Sequence, residues 1–149
     1  MQRNISLNDI SLKARVRRKE FLKITSDVIT SGIFFNGLQA AFLEKRLSSH
    51  LDGGYVTTLT SGHDALFLAL SVLNLKKDDE ILFPVNSLPT AFPIAMSGAK
   101  PVPCDVDENG QLDPKALAKK ITRKTKAVIL VHLYGLVGDL KSILTLLRE

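Results

Sequence analysis

Apolar residues recur at helical spacing through the first third of the chain and then condense into short runs separated by further helical stretches. Leu12, Val16, Phe21, Leu22, Ile24, Val28 and Ile29 predict one helix over residues 12–30, closed by Ser31-Gly32. A short extended piece (33–35) leads to Asn36-Gly37, which opens a second helix. Its apolar side is Leu38, Ala41, Phe42, Leu43 and Leu47, and it stops near the Gly53-Gly54 turn. Four β-rich runs follow, at 55–59, 80–83, 101–104 and 127–131, each leading into a helix, at 62–73, 90–96, 114–121 and 139–147.

Short strands that are apolar on both faces and alternate with helices predict an α/β protein, a three-layer α/β/α arrangement around a mainly parallel sheet. Asp113-Pro114 agrees with this, since it places an N-cap acceptor before a proline whose missing N–H is no loss at the first helical position. Lys76 to Glu80 is a solvated connector, and no internal repeat, low-complexity tract or interdomain linker interrupts the pattern. Open parallel sheets bind ligands beyond the carboxyl ends of their strands. The four segments there are Thr60 to Asp64 (TSGHD), Pro84 to Thr90 (PVNSLPT), Asp105 to Gly110 (DVDENG) and His132 to Gly135 (HLYG).

With 149 residues, 45% of them hydrophobic and 23% charged, the chain has the composition of a globular domain, long enough to bury about two-thirds of its unfolded surface. No apolar run approaches the roughly 20 residues needed to span a bilayer, and the N-terminus has no apolar core of signal-peptide length. A cytoplasmic protein with no membrane partner is expected. The single cysteine, Cys104, excludes an internal disulfide framework and a multi-cysteine metal site.

The net charge of +5 is unevenly placed. Residues 1–23 carry seven basic side chains against Asp9 and Glu20, whereas the other 126 residues carry 13 of each sign. A basic helix on a neutral body could contact phosphates or form a solvated face. Without interleaved aromatics or a binding motif the solvated face is the better reading, and no nucleic-acid partner is expected.

Thr60-Ser61-Gly62-His63-Asp64 is a strand-to-helix turn. Free backbone N–H groups, a glycine permitting close approach and the positive end of the helix dipole suit it to phosphate, although an ordinary helix cap looks similar. No GxxxxGK, GxGxxG or GxSxG pattern occurs. His50, His63 and His132 are too scattered for a metal site. Asp105 and Asp107 form a candidate carboxylate pair, but alternation after a strand separates them and favours a turn-stabilising role. Cys104, at a strand end without an activating partner, reads as a small core residue rather than a nucleophile.

Six ordered motifs carry a resemblance. They are SGIFFNG…FLEKRL (Ser31 to Leu47), TSGHDALFLAL (Thr60 to Leu70), DEILFPVNS (Asp79 to Ser87), SGAKPVPCDVDENGQLD (Ser97 to Asp113), ITRKTKAVILVHLYG (Ile121 to Gly135) and the following Asp139. From about residue 20 onward the chain resembles the N-terminal part of the DegT/DnrJ/EryC1/StrS family of pyridoxal-phosphate-dependent sugar aminotransferases. The resemblance implies the large domain of the aspartate-aminotransferase fold (fold type I), with residues 1–30 as a basic amphipathic helix and 31–149 as an incomplete pyridoxal-phosphate-binding domain.

The resemblance also implies site residues. The family's SGT phosphate motif falls on Ser61, Gly62 and His63, with Asp64 next; histidine replaces the usual threonine, so a hydroxyl donor is lost while backbone donors remain. Where the family places a threonine and then an aromatic stacked on the pyridine ring, this chain has Ser87 and Leu88. Losing the ring stack weakens cofactor binding by about 0.5–1.5 kcal/mol beyond area effects, but leucine can still cover the ring face. Pro89-Thr90 and Pro93 resemble the related deoxysugar 3-dehydratases, an alternative outcome on the same fold.

Family members run to more than twice this length. Their pyridinium-pairing aspartate, Schiff-base lysine and small C-terminal domain fall beyond the position of Glu149. The resemblance therefore implies a portion of a nucleotide-ketosugar aminotransferase, with glutamate as typical donor, that is inactive alone and is completed by a homodimer partner or another polypeptide. On the family's strand order the run 55–59 lacks its native neighbours. The remaining alternative is a self-contained, non-catalytic α/β binding or interaction module.

Overall fold

The computed structural model describes residues 9–148. The chain divides into two compact units between Thr58 and Leu59.

The first unit is helical: α1 (Ile10–Val16), α2 (Arg18–Ser31) and α3 (Leu38–His50). Asp9 caps α1 by accepting the Leu12 N–H at 2.8 Å. The helix expected over 12–30 is two helices, because Arg17 leaves helical geometry at φ −101°, ψ 16°. Glu20 then sits in the first turn of α2, 3.7 Å from Arg17, where a carboxylate offsets the helix dipole. The apolar spacing runs through both pieces, so it does not reveal the break. Gly32, at φ +67°, closes α2.

The strand expected at 55–59 does not form. This segment is irregular, Tyr55 is fully exposed, and both the N–H and the hydroxyl of Thr58 donate to Glu44 Oε1 at 2.8 Å. Local β propensity makes a strand only where a neighbouring strand supplies the ladder, and none among the described residues pairs here.

The second unit is a three-layer α/β/α sandwich. A parallel three-stranded sheet has the order β2-β1-β3, with β1 (Glu80–Pro84) central, β2 (Lys100–Cys104) and β3 (Thr125–Val128). Helices α4 (Gly62–Ser71), α5 (Leu88–Met96), α6 (Pro114–Lys120) and α7 (Leu140–Leu146) complete it. Every residue of β1 is buried, and its alternation feeds two cores. Ile81 and Phe83 pack with Leu70, Ile94 and Ala99 on one face. Leu82 packs with Cys104, Leu112, Leu117 and Ile143 on the other.

The outer strand β2 carries two prolines. Lys100 donates its N–H to Asp79 O, and Cys104 O accepts from Val85 N, so the even-numbered residues face β1. Pro101 and Pro103 face outward, where proline removes the donors that would template another strand. β3 begins two residues before the expected run and ends at Val128 rather than 131. Past that point a single ladder bond remains, Ile129 N to Leu82 O at 2.8 Å, as the chain leaves the sheet.

At the opposite edge, Glu80 is nearly buried. It accepts from the Thr122 hydroxyl at 2.7 Å and from Lys100 Nζ at 3.3 Å. The Thr122 bond, more than the lysine charge, holds its carboxyl below the usual range against the opposing cost of burial.

Candidate functional site

Ser61, Gly62, His63 and Asp64 form the N-cap and first turn of α4. Ser61 is extended (φ −155°, ψ 160°), and its hydroxyl accepts the Asp64 N–H at 3.1 Å. Ser61 O accepts the Ala65 N–H at 3.1 Å. The N–H groups of Gly62 and His63 have no partner among the described residues. A Cβ placed on Gly62 would meet nothing within 4 Å, so the approach to these donors is open. Unpaired N–H groups at the positive end of a ten-residue helix attract an anion.

The Asp64 carboxylate turns back to accept the hydroxyl of Thr60. That bond, then the one to Ser61, and the nearby His63 hold Asp64 below the usual carboxylate range. The serine-x-x-acid spacing is a capping arrangement that places negative charge where the helix start favours it.

His63 does not turn its ring toward the free N–H groups: Nε2 lies 3.4 Å from Sδ of Met96, the last residue of α5. Leu88 is the first residue of that helix and is 65% exposed. Eight residues at helical rise separate the two by about 12 Å along α5. The ring of His63 thus packs at the last turn of α5, whereas Leu88 opens that helix. Met96 is a partner the sequence reading missed; a methionine near the end of a predicted helix carries no signal of it.

The loop after β1 is tied to the loop after β2. Val85 donates its N–H to Cys104 O at 2.8 Å, and Asn86 Nδ2 donates to Gly110 O at 2.9 Å. Ser87 and Thr90 share a hydroxyl–hydroxyl bond of 2.7 Å at the start of α5. Asp105 and Asp107 do not act as a pair. The Asp107 carboxylate accepts the N–H groups of Asn109 and Gln111 at 2.9 Å each, a turn-stabilising role, while the Asp105 side chain is exposed.

Cys104 is fully buried, and burial pushes its thiol up. His132 is exposed before the 3-10 turn Leu133–Gly135, and no group of three or more potential metal ligands occurs among the described residues. Nor is any helix among them long and apolar enough to cross a membrane.

Comparison with known proteins places these features in a family. Residues 16–149 match the model of the DegT/DnrJ/EryC1/StrS aminotransferase family. The chain is 36% identical over 146 residues to the dTDP-4-dehydro-2,3,6-trideoxy-D-glucose 4-aminotransferase of Saccharopolyspora spinosa, covering 94% of this chain and 37% of that protein. Its structure resembles DesV of S. venezuelae at a TM-score of 0.89 and 28% identity, covering 99% of this chain and 40% of that one. It also resembles NtdA of Bacillus subtilis, solved with bound cofactor PMP, at 0.80 and 31%, covering 89% and 31%. The chain spans well under half the length of the curated relatives it matches.

Proposed function

Because the chain belongs to the DegT/DnrJ/EryC1/StrS aminotransferase family, we propose that its residues form the cofactor-phosphate-binding part of a nucleotide-ketosugar aminotransferase, with glutamate as amino donor. The observation that carries this reading is the pair of unpartnered N–H groups, Gly62 and His63, at the open N-terminus of α4. The donor set suits a phosphate monoester. Two backbone N–H groups at the helix start are unpartnered among the described residues, and no Cβ blocks Gly62.

Pyridoxal phosphate, when bound, supplies the electron sink for amino transfer. The residues of this chain bind and orient. Ser61, Gly62 and His63 hold the phosphate, while Thr60 donates to the Asp64 carboxylate beside them. Leu88, exposed at the start of α5, covers a ring face by apolar contact without an aromatic stack. The reading extends to a cytoplasmic setting and to completion of the centre by a second copy or a further polypeptide. The 149 residues alone then bind without transferring an amino group.

The test is transfer of ¹⁵N from labelled glutamate to a nucleotide-linked ketosugar, run in parallel on the protein purified from its natural source and on the 149-residue chain. Labelled aminosugar from the first and none from the second is the expected result. No transfer by the native protein to any ketosugar of this class overturns the reading.

A further inference from the structure

The segment that follows β3 is held from inside by a buried amide. Gln111 is 3% exposed, and its amide nitrogen donates to Leu136 O at 2.8 Å and to Val131 O at 3.2 Å. The reverse orientation would set the amide oxygen against those same carbonyls and leave the nitrogen only a 3.5 Å approach to Leu133 O. The backbone of Gln111 is fixed in turn, donating to Asp107 Oδ1 at 2.9 Å and accepting from Asp107 N at 2.7 Å. Its neighbour Gly110, at φ +74°, accepts from Asn86. The loops after all three strands therefore meet at residues 110–111.

Two further observations give this junction a purpose. Between the carbonyls that Gln111 binds lies Tyr134, 97% exposed at φ +55°, a left-handed conformation that non-glycine residues avoid unless their surroundings impose it. Gln111 bonds the chain on both sides of it. Opposite, Gly138 gives the stem of the Gln111 side chain its room: a Cβ there would stand 2.9 Å from Gln111 Cβ, so glycine is needed for close approach and not for backbone freedom.

We propose that Gln111 is a positioning residue, which holds the segment 131–136, with His132 and Tyr134, in one conformation at the ligand edge of the sheet. The use of that edge rests on the functional reading above; the positioning does not.

The experiment follows amide hydrogen exchange in the 149-residue chain and two variants. In Gln111→Leu the donors are gone, and the amides of Gly135 and Leu136, which donate to His132 O and Leu133 O, should exchange faster by on the order of tenfold, while Ile81 and Leu82 in β1 keep their wild-type protection. Gln111→Glu keeps the shape and adds a proton dependence. As a neutral acid it donates and restores protection; as a carboxylate it faces two carbonyls and loses it. Asp107, His132, Tyr134 and Asp139 are titratable groups on the adjoining segments, and their contribution is read from the wild-type pH profile. Unchanged exchange at Gly135 and Leu136, equal loss throughout β1, or a Gln111→Glu profile that follows wild type overturns the proposal. Exchange is read without ligand. Failure of the wild-type chain to bind pyridoxamine phosphate therefore counts against the functional reading alone.

Discussion

The Ser61 hydroxyl accepts the backbone N–H of Asp64, and the Asp64 carboxylate closes the same turn from the other side by accepting from Thr60. Side chains thus satisfy the flank of the α4 N-terminus and leave its first two N–H groups free. Replacing Ser61 by alanine removes the cap and is expected to cost about 1 kcal/mol of stability, measured by urea unfolding. Ser61→Gly should cost only a few tenths of that amount.

Acid should destabilise the second unit. Glu80 is lowered mainly by the Thr122 hydroxyl, Asp64 by that of Thr60 and Asp139 by Ser142. A carboxyl whose folded pKa lies below its unfolded value contributes stability that is present above the unfolded value, about 4, and is lost as pH falls through the folded one. Stability measured from pH 7 downward should hold and then decline below about pH 4.5. Glu80→Gln should flatten that decline.

The thiol of Cys104 is buried between β1 and the helices packed on its second face, and its pKa is raised by that burial. A thiol reagent such as DTNB should react with the native chain only as fast as the sheet opens. Added urea should bring the rate up in parallel with unfolding. Rapid native reaction would contradict the packing.

Leu82 and Tyr55 should behave as opposites. Leu82 is fully buried on the central strand, so Leu82→Ala is expected to cost about 2–5 kcal/mol, enough to unfold a marginal domain. Tyr55 is fully exposed in an irregular segment, and Tyr55→Ala should change stability by less than about 0.5 kcal/mol. Thermal unfolding of the two variants separates them.

That contrast marks how far the sequence can be read. Local signals placed the helices that carry caps: Ser61 before α4, Asp113-Pro114 at α6 and Asp139 before α7 all behave as their residue types require. The apolar run of β1 identified the buried central strand. The run 55–59 looked equally strand-like, yet a ladder needs a partner from a distant part of the chain, and propensity carries no information about whether one is present. The candidate turn was legible for the same reason as the helices, since a cap and a glycine lie in consecutive positions. Gln111 was not. Its role depends on carbonyls 20 to 25 residues away and on the missing Cβ of Gly138, which are relations of tertiary packing.

The account centres on phosphate held by the N–H groups of Gly62 and His63. The most direct test is an NMR titration of the ¹⁵N-labelled chain with pyridoxamine 5'-phosphate and, separately, with pyridoxamine. The account predicts saturable shifts of the Gly62 and His63 amide resonances with the phosphorylated compound and none with the other. Shifts that are absent at both residues, or equal for the two compounds, would contradict it.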